Sequence, residues 1–451
     1  MAHRQDMAEV VARLLAKPEN PDREFVPDQW TYGRVYAEAR GIARAVAAEK
    51  TNGPVVLAEN GHGFVAAALI AAVAGGFTLA VPHSFSPATL AELRRATGAG
   101  LVLGHVDRLP EGYARLAWEP GKGAGLDTRE ADPNRPMLLL YTGGTTGRPK
   151  IWSKTPANLF GEGAHLTQKF RMGPGDVIVS SASPQHIYGM LFAVAAPLMA
   201  GARVIPGSPV FAAEIARSMA IHRATVYVGA PPHYHALRGG ITAPDSLRVA
   251  FSSGGFLPED AGEAFFRHTN VGPVEVYGST ETGGVATRQR SEGETSWTPF
   301  HTVDVVVEEQ RLLVASDYLS PELETDDRGL YTTGDRAEPA LGGRFVLLGR
   351  ADGVVKVGGR RVELAEVEEK LRGLAFVEDV AVLSVPARGS RENEIVAVVA
   401  AKGTVTEEAF FTEAAKVLEP SARPRRVRIV GALPRTGAGK ADRGALLKLV
   451  E

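Results

Sequence analysis

The sequence predicts an α/β protein: a large amino-terminal lobe of layered, mainly parallel sheets flanked by helices, followed by a small α+β domain. Three observations carry the prediction. Short apolar runs alternate with helix-like segments over the first two thirds of the chain. Those runs are apolar throughout, as expected of strands covered on both faces of a parallel sheet. Near Gly349 the texture changes to closely mixed strands and helices over about 100 residues, the size of a separate small domain. The expected division is 1–350 and 351–451.

The elements follow in order. "PVVLAE" (Pro54–Glu59) reads as a short strand. The longest apolar stretch, Phe64–Val81, contains Gly75 and Gly76, so it reads as a buried helix that stops at a glycine pair and runs into a strand. "PATLAELRRATG" reads as an amphipathic helix and "AGLVLGH" as a buried strand. "DVIVSSA", "ATVYVGAPP", "LRVAFSSGG" and "VEVYGSTE" continue the rhythm, each with glycine, serine or threonine just after an apolar run. Ligands of parallel sheets gather at the carboxyl ends of strands, so these clusters are candidate site segments. Beyond Gly349, "VVKVGGRRVELAEVEEKLRGL" runs through a strand and a glycine pair into an acidic helix. "VEDVAVLSVPA", "NEIVAVVAAKG", a helix around Glu407–Leu418 and "RRVRIVGALP" complete the small domain.

Composition narrows the function classes. The formal net charge is -2, which gives no general attraction to nucleic acid or to an anionic membrane. Met1–Pro27 has no apolar core of a signal peptide, so the expected location is the cytoplasm. The chain has no cysteine, which excludes disulfides, cysteine-ligated metals and a thioester on the protein itself.

The richest local signal is "LLLYTGGTTGRPK" (Leu138–Lys150). After a buried strand, Gly143, Gly144 and Gly147 relax the backbone so that amide N–H groups can converge on an anion. Thr142, Thr145 and Thr146 add hydroxyl donors, and Lys150 adds charge. The pattern is not that of a P-loop NTPase, because Gly-Lys-Ser/Thr is missing. A glycine-rich surface turn is the alternative.

"YTGGTTGRPK" resembles the phosphate loop of the adenylate-forming superfamily: acyl-CoA synthetases, luciferases and nonribosomal-peptide adenylation domains. Five further stretches, in order, are similar to motifs of that family. "VYGSTETGG" is one: the resemblance implies that Tyr277 stacks on adenine, Thr280 faces the phosphates and Glu281 holds Mg2+. Glu275, Val276, Gly278 and Ser279 belong to the same ATP/AMP-binding strand. "FSSGGFLPED" is similar to the segment in which Gly254 borders the acyl group and Gly255 and Phe256 border AMP, although Phe256-Leu257 stands where Ala-Pro is common. In "YTTGDRAE", Asp335 is implied to bind the ribose; in "LGRADGVVKVGGRRVEL", Arg350 also contacts the ribose and Asp352 is the interdomain hinge. In "LPRTGAGKADRGAL", Lys440 is implied to bridge the carboxylate and the α-phosphate.

The resemblance implies ATP and Mg2+ as cofactors and a two-step ligase. A carboxylic acid attacks the α-phosphate, pyrophosphate leaves, and an external thiol then takes the acyl group. That thiol is coenzyme A or the phosphopantetheine of a carrier protein; no fused carrier domain is expected, since the sequence ends eleven residues after Lys440. Catalytic roles fall on Lys440, Glu281, Thr145 and Lys150. His186, Gly189, Gly229 and Gly254 are the candidate acid pocket, with His233, Tyr234 and His235 nearby. Amino-acid-activating members usually carry an aspartate near His186; none lies between Ser180 and Leu191, which argues against a buried ammonium group there. An aryl, hydroxyaryl or fatty acid fits instead. "RPRRVR" (Arg423–Arg428) is either a docking site for the acceptor or a solvated strand edge. A homodimer is allowed. A non-catalytic nucleotide-binding homologue and an amino-acid-activating enzyme are the alternatives.

Overall fold

A computed structural model describes residues 6–49, 53–82, 85–122, 125–142, 150–350, 353–387, 393–434 and 443–450. The chain divides into a large unit, Met1–Thr142, Ile151–Thr333 and Ala337–Leu347, and a small unit built mainly on Leu348–Glu451.

Two sheets organise the large unit. The first has seven strands in the order Arg203–Val204, Val177–Ser180, Val226–Gly229, Val249–Ser252, Pro273–Ser279, Gly283–Arg288, Thr298–Pro299. Its first five strands are parallel, and the last two turn antiparallel. The second has six strands, with Val55–Ala58 and Leu79–Val81 at its centre and Leu138–Thr142 beside Lys150–Lys154 at one edge. The central strands are buried along their whole length, as the unbroken apolar runs require.

The helices are placed by local chemistry. His62–Gly75 is buried all round and ends where Gly76 adopts the left-handed conformation (φ 62°). Pro87–Thr97 starts on the Ser86 side chain, which accepts from the Thr89 N–H. Pro156–Lys169 starts on a reciprocal pair: the Asn158 N–H donates to the Thr155 hydroxyl, and the Thr155 N–H donates to the Asn158 side chain. The main core takes inward residues of both sheets together with His62–Gly75, Pro156–Lys169 and the segment after Ile187. Helices Ala212–Ile221 and Glu259–Thr269 cover the far face of the first sheet, and Pro87–Thr97 covers that of the second. The result is a helix–sheet–helix–sheet–helix stack.

The layered parallel sheets agree with the expected fold class. The alternating pattern did not foresee a third, four-stranded sheet in the order Asp304–Glu308, Arg311–Ala315, Tyr331–Ala340, Arg344–Arg350. Its last two strands meet at Leu341–Gly343, where Gly342 and Gly343 take φ of 72° and 73°, backbone that suits only glycine in so tight a turn.

In the small unit, Val354–Val357 and Arg360–Glu363 form a hairpin leading into helix Leu364–Arg372. A three-stranded sheet, Val377–Pro386, Asn393–Ala401 and Arg426–Val430, carries helices Glu407–Val417 and Arg443–Val450. It has its own core around Val362, Leu371, Ile395 and Phe410.

Candidate active site

Three neighbouring strands of the seven-stranded sheet run in register: Gly229 and Ser252, the last residues of two of them, lie opposite each other, and Ser252 lies opposite Glu275, from which the third runs on to Ser279. This brings the "VGAPP", "FSSGG" and "VYGSTE" segments to one edge, where a parallel sheet offers its ligand crevice.

The turn after Pro273–Ser279 is closed by its own hydroxyls. The Ser279 N–H donates to the Thr282 hydroxyl at 3.0 Å, and the Thr282 N–H donates to the Ser279 hydroxyl at 3.2 Å. Thr280 and Glu281 occupy its middle. Glu281 is buried (7% exposed), so this carboxylate sits inside the protein rather than in a solvated turn. Gly278 allows the two strands to approach, since a Cβ there would lie 2.3 Å from the Gly283 carbonyl oxygen.

Tyr277 packs at a tilt against Trp297 (5.7 Å) and edge-on against Phe345 (5.9 Å). Behind it the buried Glu275 holds two guanidinium groups, with Arg288 at 3.0 Å and Arg290 at 2.7 Å. Arg288 lies over Trp297 at 4.6 Å, and Arg290 over Phe256 at 5.3 Å. Glu275 is thus engaged in building the shelf under Tyr277. Phe256 lies 57% exposed, a large apolar ring at the edge where the family motif has a small residue. Gly254 takes φ 86° in the turn, and Gly255 follows it. The Ser253 hydroxyl ties this segment to the Val276 carbonyl at 2.8 Å.

His186 precedes the short helix Ile187–Met190 and makes no side-chain cap bond. It stays open to solvent on one side, while the protein packed on the other lowers its pKa. Gly189 and Gly229 are explained by close approach. A Cβ on Gly189 would lie 2.1 Å from the Ser183 carbonyl oxygen, and one on Gly229 would lie 2.8 Å from the Tyr227 ring. Across that contact the Tyr188 hydroxyl donates to the Gly229 carbonyl at 2.9 Å. Tyr188, Phe192, Phe251 and Phe170 form a continuous row of rings behind the strand ends, with centroids 4.6–5.1 Å apart. Immediately after Met190 the helix widens into a π-helical turn, Leu191–Ala195, before resuming as Ala196–Ala200.

The neighbouring histidines have structural work. His233 Nδ1 accepts from the Ala230 N–H at 3.0 Å and caps its own helix. Tyr234 is fully buried, its hydroxyl on the Phe251 carbonyl. His235 faces Arg238. In the small unit, Arg423 closes the end of helix Glu407–Val417 through the Leu418 and Ala415 carbonyls, and Arg426 pairs with Glu394 at 2.8 Å. Arg425 and Arg428 are exposed.

Asp335 lies on strand Tyr331–Ala340, within Gly334–Arg336, which clusters with the small unit, and Arg350 closes strand Arg344–Arg350. Thr142 ends one strand and Lys150 begins another. Gly143, Gly144, Thr145, Thr146, Gly147, Asp352 and Lys440 lie outside the described residues. Sequence reasoning did not single out Lys154, whose Nζ donates to the Glu281 carbonyl, or Glu162, Tyr318 and Glu322, which adjoin Lys154 or its neighbours. A second lysine closing the short strand Lys150–Lys154 was the available signal.

Among the described residues no group of three or more His, Cys, Asp or Glu gathers as a metal site, and no helix is long and apolar enough to cross a membrane. A buried carboxylate such as that of Glu281 suits Mg2+, which binds through one or two carboxylates and takes its remaining ligands from phosphates and water.

Two family models match: AMP-binding enzyme over residues 16–329 and AMP-binding enzyme C-terminal domain over 366–440. The chain is 26% identical over 349 residues to a sulfoacetate–CoA ligase of Cupriavidus necator, covering 70% of this chain and 67% of that protein. It is 28% identical over 374 residues to an acetyl-coenzyme A synthetase of Beijerinckia indica, covering 71% and 57%. The match thus spans about three fifths to two thirds of these relatives' length. In fold it is similar to o-succinylbenzoate CoA synthetase of Bacillus subtilis (TM-score 0.77, 18% identity, 97% and 98% covered). With 16–329 and 366–440 matched in succession, this chain belongs to the AMP-binding enzyme family of adenylate-forming proteins.

Proposed function

We propose that the protein is an AMP-forming acid–CoA ligase for a compact carboxylic acid. The observation that carries this reading is the Ser279–Thr282 turn, which holds the buried Glu281 at the edge where three parallel strands end. The acid lies at the Gly229 and Gly254 strand ends, and the nucleotide base against the Tyr277 shelf. When bound, Mg2+ would be held by Glu281 and would neutralise charge on the phosphates. Preorganised donors at the strand ends align carboxylate and α-phosphate, and Lys440 bridges the two anions. The acyl-adenylate then passes its acyl group to an external thiol, since the chain has no cysteine. Coenzyme A is favoured as that acceptor by the names of the relatives. Asp352 is proposed as the hinge that separates the two half-reactions.

Compactness of the acid rests on Tyr188. Its hydroxyl bonds the Gly229 carbonyl, and the ring row behind fills the depth in which a long acyl chain would lie. The first relatives above are named for sulfoacetate and acetate chemistry, in keeping with a small acid. The test is ATP–pyrophosphate exchange with acetate, sulfoacetate, malonate, benzoate, octanoate and alanine, followed by thioester formation with coenzyme A. Exchange with acetate, sulfoacetate or malonate, and weak exchange with octanoate and alanine, is expected. No exchange with any acid overturns the ligase reading; best exchange with octanoate overturns the size argument alone.

A further inference from the structure

Strand Lys150–Lys154 ends in a lysine that is 2% exposed. An ammonium so deep is costly unless it is partnered. Lys154 Nζ donates to the Glu281 carbonyl oxygen at 3.1 Å and to the Tyr318 carbonyl oxygen at 2.7 Å. Glu162, Glu281 and Glu322 supply opposing charge around it. Glu162 is equally buried and accepts from the Gly284 N–H at 2.8 Å.

Further ties join the same three segments. The Ser320 N–H donates to the Glu281 carbonyl at 2.8 Å. The Glu322 carboxylate accepts from the Ser153 N–H at 2.5 Å and from the Ser153 hydroxyl at 2.7 Å. Asn158 Nδ2 donates to the Asp317 carbonyl at 2.6 Å. Residues 317–322 are therefore stapled to 153–158 on one side and to the main chain of Glu281 on the other. The bonds from Lys154 and Ser320 reach the Glu281 carbonyl, so they set where this residue stands and do not themselves take up its carboxylate.

We propose that Lys154, backed by the grip of Glu322 on Ser153, is a positioning residue for Glu281, and that it sets how strongly Mg2+ tightens nucleotide binding. The inference rests on the ATP-dependent reading above. Groups that orient a metal ligand from behind typically account for about 10- to 100-fold in metal affinity.

The experiment is calorimetric titration of ATP with and without Mg2+, which needs no turnover. Lys154→Met alone leaves buried carboxylates without their counter-charge, so the deciding protein is Lys154→Met combined with Glu162→Gln, which removes one charge of each sign. This double variant is expected to unfold cooperatively and to bind metal-free ATP as the wild type does. It should lose about 10- to 100-fold of the tightening that Mg2+ gives. Glu322→Ala, a surface change, should lose a smaller part of it. A double variant that keeps the full Mg2+ effect overturns the proposal. Should it fail to fold, an unchanged Mg2+ effect in Glu322→Ala overturns it instead. Wild-type protein that binds no Mg2+–ATP overturns the ligase reading, a different result from either.

Discussion

Glu162 and His165 stand three residues apart on helix Pro156–Lys169, both buried, and they are treated in opposite ways. Glu162 is supplied with a backbone N–H from Gly284 and with the charge of Lys154. His165 has two ring nitrogens that are buried without a hydrogen-bond partner among the described residues. Its ring lies against Phe300 and His301, both 4.7 Å away, and burial lowers its pKa to about 3. One buried polar group is thus built into a network around the Glu281 turn, while the other serves as a flat ring filling space. Burial alone therefore does not mark a functional group; the partners provided for it do.

The sharpest way to break this comparison is to remove Glu162. Glu162→Ala leaves Lys154 short of counter-charge and the Gly284 N–H without its acceptor, and should cost about 3–5 kcal/mol in denaturant unfolding. A loss below about 1 kcal/mol, the range of an exposed ion pair, would mean that the network is no better than a surface one. Next comes Gly283→Ala. At φ 68° the new Cβ would lie 2.6 Å from a Glu162 carboxylate oxygen and 2.8 Å from the Tyr318 Cβ. About 1–3 kcal/mol of destabilisation is expected from the backbone alone.

The His165 side of the comparison is read by pH. Its folded-state pKa lies below the usual 6.5, so the unfolded chain takes up the proton first as pH falls. Stability is then lost below pH 6.5, by about 2 kcal/mol at pH 5, and the loss saturates only near pH 3. His165→Leu should remove that slope while changing stability at pH 7 by no more than about 1 kcal/mol. An unchanged acid slope in unfolding curves taken between pH 7 and pH 5 would show that the imidazole is satisfied after all. The smallest effect expected is Thr155→Ala, about 1 kcal/mol from the lost cap at the start of the same helix.

The strand-end site was legible in the sequence because its signals are local. "FSSGG" and "VYGSTE" each place an apolar run and its turn residues within ten positions, and the parallel sheet brings them side by side. The Lys154 network was not legible, because its partners are Glu281 and Tyr318, 127 and 164 residues away. Only folding shows that the lysine ending Lys150–Lys154 meets two carbonyl groups rather than water. Tyr234 was open for a related reason: a strand-end aromatic can line a pocket or fill a core, and its burial with its hydroxyl on the Phe251 carbonyl places it in the core. The third sheet did leave a trace, the Gly342–Gly343 pair between two extended runs, which is a hairpin signal.

The π-helical turn at Leu191–Ala195 makes residue count, rather than side-chain identity, the determinant of which way the site-facing turn points. Deleting one residue there would let the helix relax to its regular pitch, since a π-turn holds about one residue more than an α-turn. Ile187–Met190 would then rotate by roughly 100° against Ala196–Ala200, the angle one residue subtends on an α-helix. Tyr188 would swing off the Gly229 carbonyl, although every side chain lining the proposed acid site would be unchanged. If the acid lies where it is proposed, the length of this segment is in that sense a specificity element that no substitution scan can reveal.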